Sequence, residues 1–166
     1  MERFFGHYLK TGATTPLEAP GRVLLCVMGS NQWRYEQEWP LSRAVITPLY
    51  LSSSGHANTD QGDGLLSWEP PAQQMRDQYS YNPLNPVRSV QGVGVWNLFT
   101  DGQLGDRQAI ESRDDVLVYS TPPLEADLEV TGTVGVVLHA ASSAPDTDFI
   151  VNLIDVYPDG HTQYIC

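Results

Sequence analysis

Turn-forming residues interrupt this chain so often that only short secondary-structure elements fit between them. The sequence contains fourteen glycines and twelve prolines among its 166 residues. Proline lacks a backbone N–H and glycine weakens the interior of a helix, so both residues tend to end an element. Runs rich in valine, leucine and isoleucine lie between these breaks, at spacings of roughly 8–12 residues that are typical of β-sandwiches and barrels. The spacing therefore predicts an all-β domain.

The predicted strands share apolar or alternating residues and are bounded by turn residues. They are 22–28, 44–51, 65–68, 115–120, 124–130, 134–140 and 148–156, followed by 161–166 as the return strand of a hairpin. The first of them is continuously apolar, which predicts a strand buried on both faces. Pro48 lies inside the second and predicts an edge position or a bulge there. Pro158-Asp159-Gly160 predicts a tight turn, because proline presets φ and glycine accepts a positive φ.

The N-terminal segment has a different pattern from the rest of the chain. Phe4, Phe5 and Tyr8 fall at helical spacing, which predicts a short helix with an aromatic face. Glycine and proline then form a linker, so we divide the chain into a helix and linker over 1–20 and a β-sandwich over 21–166. A helix this short is marginal alone. Its aromatic face therefore predicts packing against another domain.

Charge and cysteine content exclude several classes of function. Nine basic residues against twenty acidic ones give a net charge of −11, which disfavours nucleic-acid and anionic-membrane surfaces. No apolar run approaches the roughly 18 residues of a membrane span. The N-terminus has no signal-peptide pattern, so we expect a cytoplasmic location. Cys26 and Cys166 match no zinc-binding spacing and predict free thiols that are buried or terminal. We expect neither a metal nor a cofactor.

Catalytic motifs point away from a self-contained enzyme. A serine hydrolase places its nucleophile in a Gly-x-Ser-x-Gly turn between a strand and a helix. Ser54-Gly55 lacks the first glycine and the following helix, and no other serine fits better. The four histidines are isolated in surface or packing contexts. We therefore expect no catalytic residues and no hydrolysis by this chain alone.

Aromatic residues suggest a binding role instead. Trp33, Tyr35, Trp39, Trp68 and Trp96 lie in or next to predicted loops. Such side chains can stack on sugar rings, and they can also fill an interface with a neighbouring domain. We favour the interface, and we keep a carbohydrate- or small-ligand-binding module as the alternative.

Three stretches of the chain resemble a known family. They are Arg3-Phe4-Phe5-Gly6-His7-Tyr8-Leu9-Lys10; Met28-Gly29-Ser30-Asn31-Gln32-Trp33-Arg34 with Glu38-Trp39-Pro40; and the region from 114 to 160, which includes Leu128-Glu129-Val130-Thr131-Gly132 and Asp155-Val156-Tyr157-Pro158-Asp159-Gly160. Together they resemble the C-terminal non-catalytic domain of the cocaine-esterase/X-prolyl dipeptidyl-peptidase family of serine hydrolases. The resemblance implies a galactose-binding-like jelly roll, with the nucleophile, acid and base located upstream of the matched region.

The resemblance also implies a scaffold or interaction role and two kinds of partner. One is a catalytic α/β-hydrolase domain, in cis or supplied in trans as the remainder of a hydrolase. The other is a second copy of the chain, since family members continue beyond position 166. A sandwich short of strands exposes open edges, and Lys10 is the only lysine, so we expect a homo-oligomer formed by strand pairing or exchange. The candidate contact residues are Trp33, Arg34, Trp39, Phe4, Phe5, Tyr8, Trp68 and Trp96.

Overall fold

Antiparallel strands dominate the fold of this protein. The computed structural model describes residues 9, 23–73, 75–87 and 107–166. Its elements are β1 (Val23–Val27), β2 (Gln32–Glu36), β3 (Tyr50–Ser52), β4 (Leu65–Ser67), a short helix α1 (Gln108–Glu111), β5 (Ile154–Val156) and β6 (Thr162–Tyr164). The all-β prediction is confirmed. Within these ranges no helix is long and apolar enough to cross a bilayer. Leu9, the described part of the predicted N-terminal helix, is helical.

Three antiparallel pairs, β1–β2, β3–β4 and β5–β6, form the ladders. The β1–β2 turn contains Gly29 at φ 82° and Asn31 at φ 53°, a left-handed conformation that these two residue types tolerate best. The β5–β6 turn contains Gly160 at φ 84°. Its backbone closes through Gly160 N–H donating to the Tyr157 carbonyl at 2.9 Å. Both turns therefore lie where the local sequence predicts them.

A further set of backbone bonds extends the β3–β4 pair. The 116–120 segment joins the β4 end through Leu66 N–H, which donates to the Ser120 carbonyl at 2.9 Å. The same segment joins the preceding loop, because Val118 N–H donates to the Ala57 carbonyl at 2.8 Å. The strand predicted over 115–120 does not form a continuous ladder and makes two isolated bridges instead, at Leu117 and Ser120.

The chain divides into two compact units. The first, called here the hairpin unit, comprises 1–46 and 127–135; the second, the main unit, comprises 47–126 and 136–166. The hairpin unit contains β1 and β2, and the main unit contains β3 to β6 with α1. The separate helix and linker predicted over 1–20 lie almost wholly outside the described residues and stay a prediction.

Several predicted strands differ from the structure. The prediction over 44–51 is too early, because the ladder begins at Tyr50, after Pro48, which cannot donate a ladder hydrogen bond. No ladder forms over 121–153, so the strands predicted there are wrong apart from the β5 residues that follow. Residues 108–113 are polar and predict a short connector, whereas the structure has α1 there. A strand requires both a favourable sequence and the edge of another strand to pair with. Over 121–153 the sequence is favourable, but no ladder partner is present among the described residues.

Burial is also lower than the sequence predicts. The strand at 22–28 was expected to be buried on both faces, yet Leu24 of β1 is 45% exposed. The buried hydrophobic residues of the described part of the chain are Leu41 and Ala57. Many apolar side chains of these strands consequently remain available to another surface.

Candidate interaction surface

One face of the β1–β2 hairpin is apolar and exposed. The register places Leu24 opposite Tyr35 and Cys26 opposite Trp33. Directly opposed residues of an antiparallel pair project to the same side of the sheet. These four side chains, which we call the docking face, therefore lie together. Trp33 is 67% exposed and Tyr35 46% exposed. An apolar face with two large aromatic rings is typical of a protein-protein contact.

The opposite face of the hairpin is already occupied by ion pairs. Arg34 of β2 forms a two-pronged pair with Glu129, in which its Nη1 donates to Oε2 at 2.8 Å and its Nη2 donates to Oε1. Arg34 Nε also lies 2.8 Å from Glu36 Oε1. Two-pronged guanidinium–carboxylate pairs have a defined geometry, which holds residues 127–135 against this side of the hairpin.

Two further residues complete this charge cluster, which we define as Arg34, Glu36, Arg43 and Glu129. Arg43 donates from Nη1 and Nη2 to the two carboxylate oxygens of Glu36, each at 2.5 Å. Thr131 Oγ1 donates to Glu129 Oε1 at 2.6 Å. The cluster joins two cations to two anions, so its charges balance within the hairpin unit. The docking face is accordingly the side of β1–β2 that has no ionic partners among these residues.

Acid should weaken the hairpin unit through Glu129. Hydrogen bonds from Arg34 and then Thr131 lower the pKa of Glu129 from 4.5 to about 2. Between these values the unfolded chain binds a proton that the folded unit excludes. The contribution of Glu129 to stability is therefore complete above pH 4.5 and is lost as the pH falls to about 2. We expect Glu129→Gln to reduce the pH dependence of urea unfolding across this range. Glu38→Gln, at an exposed position of the same unit, is the control; equal pH slopes for both variants would contradict the assignment.

The structure places the predicted contact residues at different sites. Trp33 lies on the docking face, whereas Arg34 belongs to the charge cluster behind it. Trp39 is 49% exposed in the hairpin unit, and Trp68 is 46% exposed in the main unit. The other candidates lie outside the described residues: Phe4, Phe5, Tyr8 and Trp96.

Sequence reasoning missed half of the docking face. Cys26 was expected to be buried, but it is a free and exposed thiol. Leu24 was expected on a doubly buried strand, and β2 was not predicted at all. The available signal was the alternation from Trp33 to Glu36 directly after the Gly29 turn. Aromatic residues on one parity and charged residues on the other are typical of a two-faced strand.

A second polar group, in the main unit, is built around Asp77. Its carboxylate accepts hydrogen bonds from Ser53 Oγ at 2.7 Å, from Ala57 N–H at 2.9 Å and from Tyr119 Oη at 2.7 Å. Burial raises the pKa of Asp77, but the donors outweigh burial and the net pKa is lowered. Burial, followed by the bond to Asp77, raises the pKa of Tyr119. Asp77 therefore stays ionised and Tyr119 stays protonated, which suits a structural role in which the carboxylate holds its donors in place.

A serine, a histidine and an aspartate also meet in this unit, without forming a catalytic triad. Ser54 donates to Asp63 Oδ2 through both Oγ and the backbone N–H. His56 Nδ1 lies 3.9 Å from that same oxygen, and its side chain is 82% exposed. A triad requires the histidine to accept the serine proton. Here the Ser54 hydroxyl donates to the Asp63 carboxylate instead, and this hydrogen bond is the main cause that lowers the pKa of Asp63. In the described ranges, no three His, Cys, Asp or Glu residues are grouped to hold a metal ion.

Comparisons with known proteins agree with the family resemblance. The model of the X-Pro dipeptidyl-peptidase C-terminal non-catalytic domain matches residues 16–166. Cocaine esterase from a Rhodococcus strain is 45% identical over 98% of this chain and 28% of its own length. Proteins named as serine esterases in Mycobacterium bovis and Mycobacterium tuberculosis are each 30% identical over 98% of this chain and 24% of theirs. The chain thus spans about a quarter of these relatives. It belongs to the family of X-Pro dipeptidyl-peptidase C-terminal non-catalytic domains.

Proposed function

We propose that this chain is the non-catalytic β domain of a serine esterase and that its docking face packs on the catalytic α/β-hydrolase domain. The matched family is described as non-catalytic, and the relatives named as esterases extend well beyond the part that this chain matches. Bond-breaking residues in those proteins would then lie in the remainder. On this proposal the chain contributes burial and orientation, while the catalytic domain supplies the nucleophile.

The main support for this proposal is that the two faces of the β1–β2 hairpin differ, one apolar and exposed and the other covered by ion pairs. Trp33 and Tyr35 offer large contact areas at low entropic cost. Tryptophan and tyrosine are among the residues that contribute most binding energy at interfaces. Both side chains also have a polar group at the tip that can pair with a carbonyl of the partner. The charge cluster fixes the reverse side of the strands. A rigid apolar face needs little reorganisation before it binds.

The proposal extends to the details of the fold and to the compartment. We propose a galactose-binding-like jelly roll, since antiparallel hairpins are its building units. The free cysteines Cys26 and Cys166 favour a reducing compartment, which supports the cytoplasm. The comparisons support neither the carbohydrate-binding alternative nor a stand-alone hydrolase.

A hybrid enzyme tests the docking proposal. This chain would replace the matching 28% of cocaine esterase. We expect the hybrid to hydrolyse p-nitrophenyl butyrate and the isolated chain to show no activity above background. Trp33→Ala together with Tyr35→Ala should shorten the half-life of the hybrid on heating, because removing central aromatic anchors typically costs about 2–4 kcal/mol of contact.

The matched control is Ile46→Ala, which removes an apolar side chain that is 98% exposed in the same unit. It should leave the half-life unchanged. Equal half-lives for the control and the docking-face variant would refute the docking face, although the chain could still be a non-catalytic domain. Esterase activity of the isolated chain that is lost on replacing one serine would refute the non-catalytic role itself.

A further inference from the structure

The two faces of the β1–β2 hairpin differ in burial as well as in charge. Along β1 half-buried residues alternate with exposed ones, and the half-buried ones are Val23, Leu25 and Val27. The ladder register places Leu25 opposite Arg34, on the side away from the docking face. Alternate residues of a strand project to opposite sides of the sheet, so this burial lies on one side only. The 127–135 segment of the same unit is joined to that side by the pair between Arg34 and Glu129.

Contacts on this reverse side matter because two paired strands are barely stable by themselves. An isolated two-stranded hairpin is marginal in water, and it persists when one of its faces is packed. The docking face of the isolated chain is exposed, so the stabilising contacts have to come from the reverse side. Arg34 lies between Trp33 and Tyr35 on β2. One residue therefore connects the strand that presents the two aromatic rings to the 127–135 segment behind it.

The connection through Glu129 is directional. Arg34 donates through two nitrogens to both carboxylate oxygens of Glu129, and Thr131 Oγ1 donates to Glu129 Oε1 at 2.6 Å. Two parallel bonds fix the orientation of the guanidinium as well as its distance. The pair is also partly open to solvent, since 31% of the Arg34 side chain and 44% of the Glu129 side chain are accessible. Contacts of this exposure are the ones that open locally while the rest of a protein stays folded.

We propose that Glu129 is a positioning residue for docking, and that attachment of the 127–135 segment and binding at the docking face favour each other. With Glu129 paired, β2 is held from behind and presents Trp33 and Tyr35 in one arrangement. With the pair open, only the fraction of molecules that keeps this arrangement can bind. Such coupling is reciprocal, so a catalytic domain on the docking face should in turn tighten the attachment of 127–135. The inference rests on the docking proposed above and adds a means of regulating it.

Amide hydrogen exchange of the isolated full chain tests the attachment without any partner. Glu129→Gln keeps the size of the side chain and removes the charged two-pronged pair. We expect the amides of β1 and β2 to exchange roughly three- to fivefold faster, at the upper end for a partly exposed ion pair. The amides of β5 and β6, in the main unit, should keep wild-type rates. Glu38→Gln, at an exposed position of the hairpin unit, is the control. Equal rates in β1 and β2 for the two variants would overturn the proposal.

The hybrid enzyme tests the coupling to docking. Glu129→Gln should shorten the half-life of the hybrid on heating by roughly threefold, whereas Glu38→Gln should leave it unchanged. In a hybrid that already has Trp33→Ala and Tyr35→Ala, Glu129→Gln should have little further effect, because the contact that it supports is already lost. Equal shortening by Glu129→Gln in both hybrids would overturn the coupling.

Exchange of the 127–135 amides tests the reciprocal effect. They should exchange more slowly in the hybrid than in the isolated chain, and Trp33→Ala with Tyr35→Ala should abolish this slowing. Slowing that persists in the double variant would contradict the coupling. A double variant with the wild-type half-life would refute the docking face and the coupling with it. Exchange in the isolated chain separates that outcome from failure of the Glu129 attachment, because it involves no catalytic domain.

Discussion

Replacing Gly64 with alanine should destabilise this protein by about 3 kcal/mol or more. A Cβ atom at this position would lie 1.9 Å from the carbonyl oxygen of Val118 and 3.1 Å from the Cβ of Ala57. The distance to the Val118 oxygen is far shorter than any ordinary van der Waals contact, and the distance to the Ala57 Cβ is tight. The closest neighbour is backbone, so it cannot rotate away as the end of a side chain would.

Hydrogen bonds on both sides prevent the two segments from separating. The Gly64 carbonyl accepts from Ser120 N–H at 3.1 Å, and Val118 N–H donates to the Ala57 carbonyl at 2.8 Å. Ala57 is fully buried. Making room for the new methyl group therefore requires breaking ladder bonds and moving a packed residue. This places the expected effect at or beyond the upper end of ordinary overpacking, which costs about 1–3 kcal/mol.

Urea unfolding at constant protein concentration measures the effect. Gly135→Ala is the control, because a Cβ there meets nothing within 4 Å. We expect its unfolding free energy to stay within about 0.5 kcal/mol of the wild type. If Gly64→Ala and Gly135→Ala unfold at the same urea concentration, the close approach of Gly64 to Val118 does not exist in solution.

The turns of this fold can be predicted from the sequence, whereas the pairing of its segments cannot. Gly160 and Gly29 adopt the left-handed conformations that their neighbours predict, because a tight turn depends on only a few adjacent residues. The stretch 134–140 has a stronger β pattern than β6, yet β6 pairs, whereas that stretch forms no ladder in the part of the chain that the structure describes. Pairing depends on which edges meet, and periodicity contains no information on that.

The same distinction applies to the candidate surface. Trp33 could be selected from the sequence because an exposed tryptophan near a turn is informative by itself. The partner of Arg34 could not be selected, since Glu129 lies 95 residues away along the chain. Arg34 accordingly joins two segments within the hairpin unit, and its role as a contact residue for a partner stays a prediction.

Asp77→Ala should be the second most disruptive substitution, with an expected loss of about 2–4 kcal/mol at neutral pH. It removes the acceptor shared by Ser53 Oγ, Ala57 N–H and Tyr119 Oη. These donors come from two separate parts of the main unit, the loop after β3 and the 116–120 segment, so the carboxylate holds the two together. Donors left without an acceptor in a partly buried site cost more than the net value of the bonds themselves. Tyr119→Phe removes one donor and should cost about 1 kcal/mol.

The pH dependence of unfolding distinguishes loss of charge from loss of packing. The pKa of Asp77 is lowered from 3.8 in the folded chain, so its contribution is complete above that value and declines as the pH falls below it. Asp77→Asn keeps the shape and one acceptor, and it should destabilise the protein less than alanine does at neutral pH. It should also lose less stability than the wild type on acidification. Asp146→Asn, at an exposed position of the same unit, should follow the wild type at every pH. If Asp77→Asn follows it as well, the three donors do not depend on an ionised Asp77.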